Sequence, residues 1–197
     1  MLAAVVLRGM SASYEGRGPM DWRACYASLN ENYMEPRRRE RWTIDVYYHT
    51  YHSPEIKEIR NLYKPVASKV TDFFAMDRYK SQQRSLIIAL ELVRGVYDEI
   101  LVTRIDLLYK LPVTQGHLQD GFSVPWRDID GRKHCDVIWV FAGKLLPKII
   151  KDLHHLVKHP PHHNCCGGEL HFYVSTRPLY MFKGRFSSDT DWPERFP

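Results

Sequence analysis

Three short stretches of this sequence carry side chains whose types and spacing could do chemistry. The first is Thr103-Arg104-Ile105-Asp106, which closes the run Glu99-Ile100-Leu101-Val102. A cation and a carboxylate two positions apart at the end of a buried strand are costly to place without partners. An arginine can hold a diphosphate through a bidentate fork, and an aspartate can hold a divalent metal that bridges the same diphosphate. The plain alternative is an Arg–Asp ion pair that caps the strand. The second stretch is Cys166-Gly167-Gly168-Glu169-Leu170-His171. Its glycines, Gly168 among them, admit a close backbone approach to a ligand. Glu169 and His171 alternate onto one face of the strand expected from Leu170 to Val174, where they could serve as base and metal ligand. A glycine turn with a surface glutamate is the alternative. The third is Trp126-Arg127-Asp128-Ile129-Asp130, a literal D-x-D beside Gly131. Solvated turns of that composition are common, so Asp128 and Asp130 rank below Asp106 as metal ligands.

Two further features have a chemical and a bland reading. Ser81-Gln82-Gln83-Arg84 opens the strongest helical pattern, and its N–H groups with Arg84 could meet a phosphate. A capped helix start is the commoner outcome. His154, His155, His159, His162, His163, Cys165 and Cys166 suggest zinc, but no C-x-x-C pair accompanies them, and Pro160-Pro161 would break a helical presentation. A polar loop beside a site is the favoured reading. Arg37-Arg38-Arg39 with Arg41 reads as a solvated helix end.

The elements that must position these groups alternate along the chain. Ala3–Leu7 predicts a buried first strand that runs into the polar loop Arg8-Gly9-Met10-Ser11. Residues 20–33 carry helical periodicity, with Asp21 or Pro19 at the start and Pro36 as the stop. Trp42–Thr50 is rich in β-branched and aromatic residues and predicts a strand. Ser53-Pro54 predicts a helix start that runs to Tyr63 and ends at Pro65. A short strand over 66–74 and a helix over 81–93 follow. A strand over 99–102, strands over 122–125 and 135–140, and a helix over 144–157 complete the order, with a Pro/Gly-rich tail from Pro178. Alternation of this kind predicts an α/β fold with a mostly parallel central sheet flanked by helices.

Composition narrows the class. The chain has 197 residues, 44% of them hydrophobic, with a formal charge of +5. That suits one domain over residues 1–197, or one module of a longer polypeptide, with a modest preference for polyanions. No basic block is long enough for a nucleic-acid stripe, and no run approaches the ~20 apolar residues of a membrane span. Four cysteines are too few for a disulfide scaffold of this length and read as reduced thiols in a cytosol-like compartment. The sequence holds no G-x-G-x-x-G, no G-x-x-x-x-G-K-[ST] and no G-x-S-x-G, so dinucleotide oxidoreductases, P-loop enzymes and α/β-hydrolases are disfavoured.

Taken in order, the first strand ending in Arg8-Gly9, Asp45-Val46-Tyr47-Tyr48-His49-Thr50-Tyr51, the Ser/Gln/Arg helix start, Tyr97–Leu107 and the late Gly167-Gly168-Glu169 resemble a family. The chain resembles the nucleotide-sugar glycosyltransferases of the GT-A fold, and among them the type by which large algal (chlorella) viruses decorate their capsid protein. The resemblance implies a single Rossmann-like domain that moves a sugar from a nucleoside diphosphate sugar, UDP favoured, to a glycan or glycoprotein acceptor with Mn²⁺ or Mg²⁺, in the cytoplasm of the host. It implies Asp106 as the metal-binding aspartate of the family's D-x-D, with Arg104 standing where the first aspartate would be. It also implies His171 as a late metal ligand, Arg8, Gly9 and Thr50 around the nucleotide, and Glu169 near the acceptor. Transfer passes through an oxocarbenium-like state, and the departing diphosphate needs cationic neutralisation. Glu169, Asp128 and Asp130 are the candidate catalytic carboxylates, and Trp126 the sugar-side contact. Two other readings stand beside it: a nucleotidyltransferase making nucleotide sugars, and a non-catalytic zinc-stabilised binding module.

Overall fold

The computed structural model describes residues 1–9, 21–72, 78–109, 112–113, 121–124, 138–158 and 179–180. Its centre is β1 (Leu2–Arg8), whose residues Ala3 to Leu7 are wholly shielded from solvent. A strand covered on both faces reads as a continuous apolar run, as parallel strands between helical layers do. β2 (Thr43–Tyr51) pairs parallel with β1 on one side, and β3 (Ala67–Thr71) pairs parallel with β2 beyond it. β4 (Glu99–Arg104) pairs parallel with β1 on the other side. β5 (Phe122–Val124) and β6 (Ile138–Ala142) extend the sheet, β6 antiparallel to both β4 and β5. β7 (Leu179–Tyr180) closes the described sheet beside β5, giving the order β3-β2-β1-β4-β6-β5-β7.

Helices cover both faces. α1 (Trp22–Leu29) starts at the Asp21 cap, whose carboxylate accepts from the N–H groups of Arg23 and Ala24 at 3.1 and 3.2 Å. The chain then passes through a π-helical turn, Asn30–Met34, into α2 (Glu35–Arg39). α3 (Ile56–Tyr63) lies on the same face, where Trp22, Tyr33, Ile59 and Tyr63 pack on Val5, Leu7 and Leu101. The opposite face is covered by α4 (Arg78–Glu91) and α5 (Leu146–Lys158), whose Leu86, Leu90, Ile149 and Leu153 pack on Ala4, Val6 and Ile100. The result is the expected α/β sheet, mostly parallel and flanked by helices.

Several boundaries differ from the sequence expectations. Pro36 does not stop the first helix. The Glu35 N–H bonds to the Asn30 carbonyl, five residues back, and this wider turn accommodates a ring that lacks a donor and would clash in a regular α-helix. Ser53 is not the N-cap residue of the next helix. Glu55 takes the N-cap position of α3, and the Ile56 N–H bonds to the Ser53 carbonyl at 3.4 Å. α4 begins at Arg78, ahead of Ser81. β4 continues through Thr103 and Arg104, because both pair with β1. The tail from Pro178 contributes β7. Arg37 is not solvated: it is 1% exposed and paired with Glu99. The strand expected at Leu170–Val174 lies outside the described residues.

Candidate functional site

Strand order reverses at β1. The chain steps outward through β2 and β3, then returns to pair β4 on the other side of β1. In such sheets the carboxyl ends of the two strands at the reversal diverge and leave a crevice. β1 ends there in Arg8 and β4 in Arg104, and the two are register partners, as are Arg8 and His49 of β2. Partners across a ladder share a face. Val6, Tyr47 and Val102, one pleat back, belong to the α4–α5 side, so Arg8, His49 and Arg104 lie toward that side as well.

Two guanidinium groups on one face at a strand-order reversal form a cationic edge. Arg8 is 3% exposed. Arg104 grips Asp106 through both arms of its fork, Nε to Oδ1 at 2.6 Å and Nη2 to Oδ2. Just after the strand, the Ile105 N–H bonds to the Arg8 carbonyl at 3.1 Å, tying the two strand ends together. Gly9 leaves β1 with φ +106°, in open space. On the reverse face, the Tyr109 hydroxyl donates to Thr103 Oγ1 at 2.8 Å and braces the end of β4.

The wall on the β2 side is built by His49. Its Nδ1 lies 2.8 Å from Ser85 Oγ on α4, and its Nε2 3.0 Å from Thr71 Oγ1 on β3. Burial pushes the imidazole down to about 4, and Lys69 adds to the effect, so the ring is neutral near pH 7. The Tyr51 ring meets it edge-on at 5.4 Å, and the Tyr51 hydroxyl lies 3.5 Å from Ser81 Oγ. The amino-terminal half of α4 therefore stands over the carboxyl end of β2, with its positive dipole end toward the same edge.

The sequence candidates divide accordingly. Arg8, Gly9, Arg104 and Asp106 come together at the β1–β4 edge. Thr50 does not join the arginines: it follows Tyr48 onto the opposite face and is fully buried. Arg84 is exposed on α4, while Ser81 and Ser85 turn inward. With α4 starting at Arg78, Ser81–Arg84 no longer open the helix, so the phosphate reading placed on that start is displaced upstream. Glu169, Asp128, Asp130, Trp126, Gly168 and His171 lie outside the described residues. Of the His/Cys stretch, His154 and His155 sit on α5, and His154 Nε2 lies 2.8 Å from Glu91 Oε1 on α4. Cys25 is a buried free thiol, its pKa pushed up to about 12 by burial and by the carboxylates of Asp106 and Asp21. Sequence reasoning missed His49. The period-2 alternation of β2 separates it from Thr50 and could have flagged it, but the partners Ser85 and Thr71 come from other elements.

Asp106 alone does not make a metal centre. Both its oxygens hold Arg104, and no three His, Cys, Asp or Glu side chains converge as a metal shell among the described residues. These residues by themselves do not fit a divalent ion. Among the described residues no helix is long and apolar enough to cross a membrane.

No protein-family model and no curated protein matches the chain. Solved structures resemble it, two of one glycosyltransferase among them. The apo-form glycosyltransferase GlyE of Streptococcus pneumoniae TIGR4 is 16% identical over 87% of this chain and 44% of its own, with a TM-score of 0.47. A second structure of glycosyltransferase GlyE from the same source is 12% identical over 90% of this chain and 44% of its own, with a TM-score of 0.48. The chain thus spans less than half the length of these two structures.

Proposed function

We propose that the chain is a glycosyltransferase that takes a sugar from a nucleoside diphosphate sugar, with the diphosphate seated across Arg8 and Arg104. The observation that carries the reading is the register pairing of these arginines at the carboxyl ends of β1 and β4, where strand order reverses. Two guanidinium forks on one face match the adjacent charges of a diphosphate. In sugar transfer that diphosphate is the leaving group, so a fixed cationic edge stabilises charge as it develops. His49 holds α4 against β2 and β3 by neutral hydrogen bonds, which fixes the wall of the crevice without adding charge to it.

The resemblance in sequence extends the proposal. It assigns the GT-A arrangement in one domain over residues 1–197, a UDP-sugar donor, a hexosyl or deoxyhexosyl group, and a glycan or capsid-type glycoprotein acceptor in the cytoplasm of a virus-infected host. It assigns catalysis to a carboxylate among Glu169, Asp128 and Asp130, with Trp126 on the sugar side and Gly168 beside the donor. Mn²⁺ or Mg²⁺, by the same reading, would take Asp106 and His171 and supply further neutralisation of the diphosphate. Among the described residues, Arg8 and Arg104 are the cationic groups at this edge that would share in neutralising the leaving group.

Calorimetric titration of UDP, then GDP, with and without Mn²⁺ tests the donor site. Binding of one nucleotide diphosphate is expected, and absence of binding under every condition rejects the reading. Release of free sugar or transfer from a UDP-sugar panel separates this activity from nucleotidyl transfer, which instead needs a nucleoside triphosphate and a sugar 1-phosphate.

A further inference from the structure

We propose that Asp106 is an internal competitor for the diphosphate: its carboxylate occupies the Arg104 fork in the ligand-free chain, and an arriving diphosphate takes the fork over and releases the carboxylate. The inference rests on the donor-site reading of the β1–β4 edge. Three observations carry it. The contact is bidentate, using Nε and Nη2 together. The pair is largely withdrawn from water, with side-chain exposures of 15% for Arg104 and 11% for Asp106. Arg104 is the register partner of Arg8, so the fork that Asp106 holds belongs to the cationic edge itself.

Carboxylate and phosphate oxygens present the same geometry to a guanidinium. The same two N–H groups therefore serve one anion at a time. Vacating the fork before the ligand arrives would take its bidentate anion from a shielded cation, which is unfavourable. Exchange of one anion for another avoids that intermediate. Asp106 follows the turn residue Ile105 and precedes Leu107, which is anchored in the core below the sheet. The carboxylate thus swings from a fixed backbone. Its pairing with Arg104 keeps the edge intact when no donor is bound and sets a threshold that weak anions do not pass.

The test is titration of inorganic pyrophosphate, in the presence of EDTA, into the wild-type chain, Asp106→Asn, Asp106→Ala and the double variant Asp106→Asn/Arg104→Gln. Removing the competitor is expected to tighten pyrophosphate binding about tenfold in each single variant, the scale of one charge-assisted interaction. The gain should vanish in the double variant. Thermal unfolding of each variant checks the fold, and the alanine variant keeps the test open if the asparagine variant misfolds. Unchanged or weaker binding in the single variants overturns the exchange. If wild type binds UDP and the variants show no gain, the exchange alone is wrong and the donor site stands. If the variants gain and no nucleoside diphosphate sugar is turned over, the exchange stands and the glycosyltransferase reading falls. No pyrophosphate binding by any form overturns the exchange, and the donor reading then stands or falls with the UDP and GDP titrations.

Discussion

Arg37, Glu99 and Tyr33 meet at the amino end of β4, the end opposite the arginine edge. Arg37 Nη2 lies 3.0 Å from Glu99 Oε2, the Tyr33 hydroxyl donates to Glu99 Oε1, and the Arg37 guanidinium lies 5.0 Å from the Trp42 ring. Burial raises the Glu99 carboxyl above its ordinary value, while Tyr33 and Arg37 oppose that shift. Removing one partner of such a pair leaves a buried charge alone, so Arg37→Met should cost about 3–5 kcal/mol in urea unfolding. A loss below about 1 kcal/mol, the scale of an exposed pair, would show the pair to be dispensable. The role of Arg37 was hidden in the sequence because its partner is 62 residues away and its neighbours Arg38 and Arg39 look solvated. Thr103-Arg104-Ile105-Asp106 was legible for the opposite reason: both partners sit within one turn of chain and interrupt an apolar run. At His49, the unfolded chain takes up its proton near pH 6.5 and the folded chain only near pH 4. The folded state is fully favoured above that window and loses about 3 kcal/mol as pH falls through it. Replacing His49 with Gln should remove that part of the acid sensitivity. Stability measured from pH 7 to pH 4 would then fall less steeply in the variant, and equal slopes would contradict the assignment.

At the scale of elements, strands and amphipathic helices were legible and their ends were not. β1, β2 and β4 carry runs whose apolar or β-branched content admits little else. The boundary at Pro36 failed because local rules treat proline as a stop, whereas a five-residue turn from Asn30 absorbs it. β7 was missed because a two-residue strand has no pattern of its own and exists only by pairing with β5. Close approaches between elements are equally invisible in a sequence. Gly143, where β6 passes into α5, has its missing Cβ position only 2.0 Å from the Tyr97 carbonyl oxygen on the segment that enters β4. The obstacle is backbone and cannot rotate aside. Gly143→Ala should therefore cost at least about 1–3 kcal/mol, the range for overpacked sites, and a near-neutral melting temperature would contradict that packing. Gly9 differs, since nothing crowds it and only its φ of +106° is special. Gly9→Ala should cost about 1–2 kcal/mol through backbone strain alone.

For the molecule as a whole, alternation of strands and helices predicts a sheet with two covered faces, and the described residues form one. The strand order is a different kind of information. No local signal says that β4 returns to pair with β1, yet that choice alone sets Arg104 beside Arg8 and defines the crevice. Sequence reasoning named both arginines and could not say that they share a face, or that Thr50 stands on the other. Whether Arg8 and Arg104 hold one diphosphate between them decides the function proposed for this edge. Titrating UDP and uridine into wild type, Arg8→Gln and Arg104→Gln answers it with the fewest intervening assumptions. Each substitution should weaken UDP about tenfold or more, the scale of a charge-assisted interaction, while uridine binding changes little. UDP affinity unchanged in either variant, or an equal loss for uridine, would contradict a diphosphate seat between the two arginines.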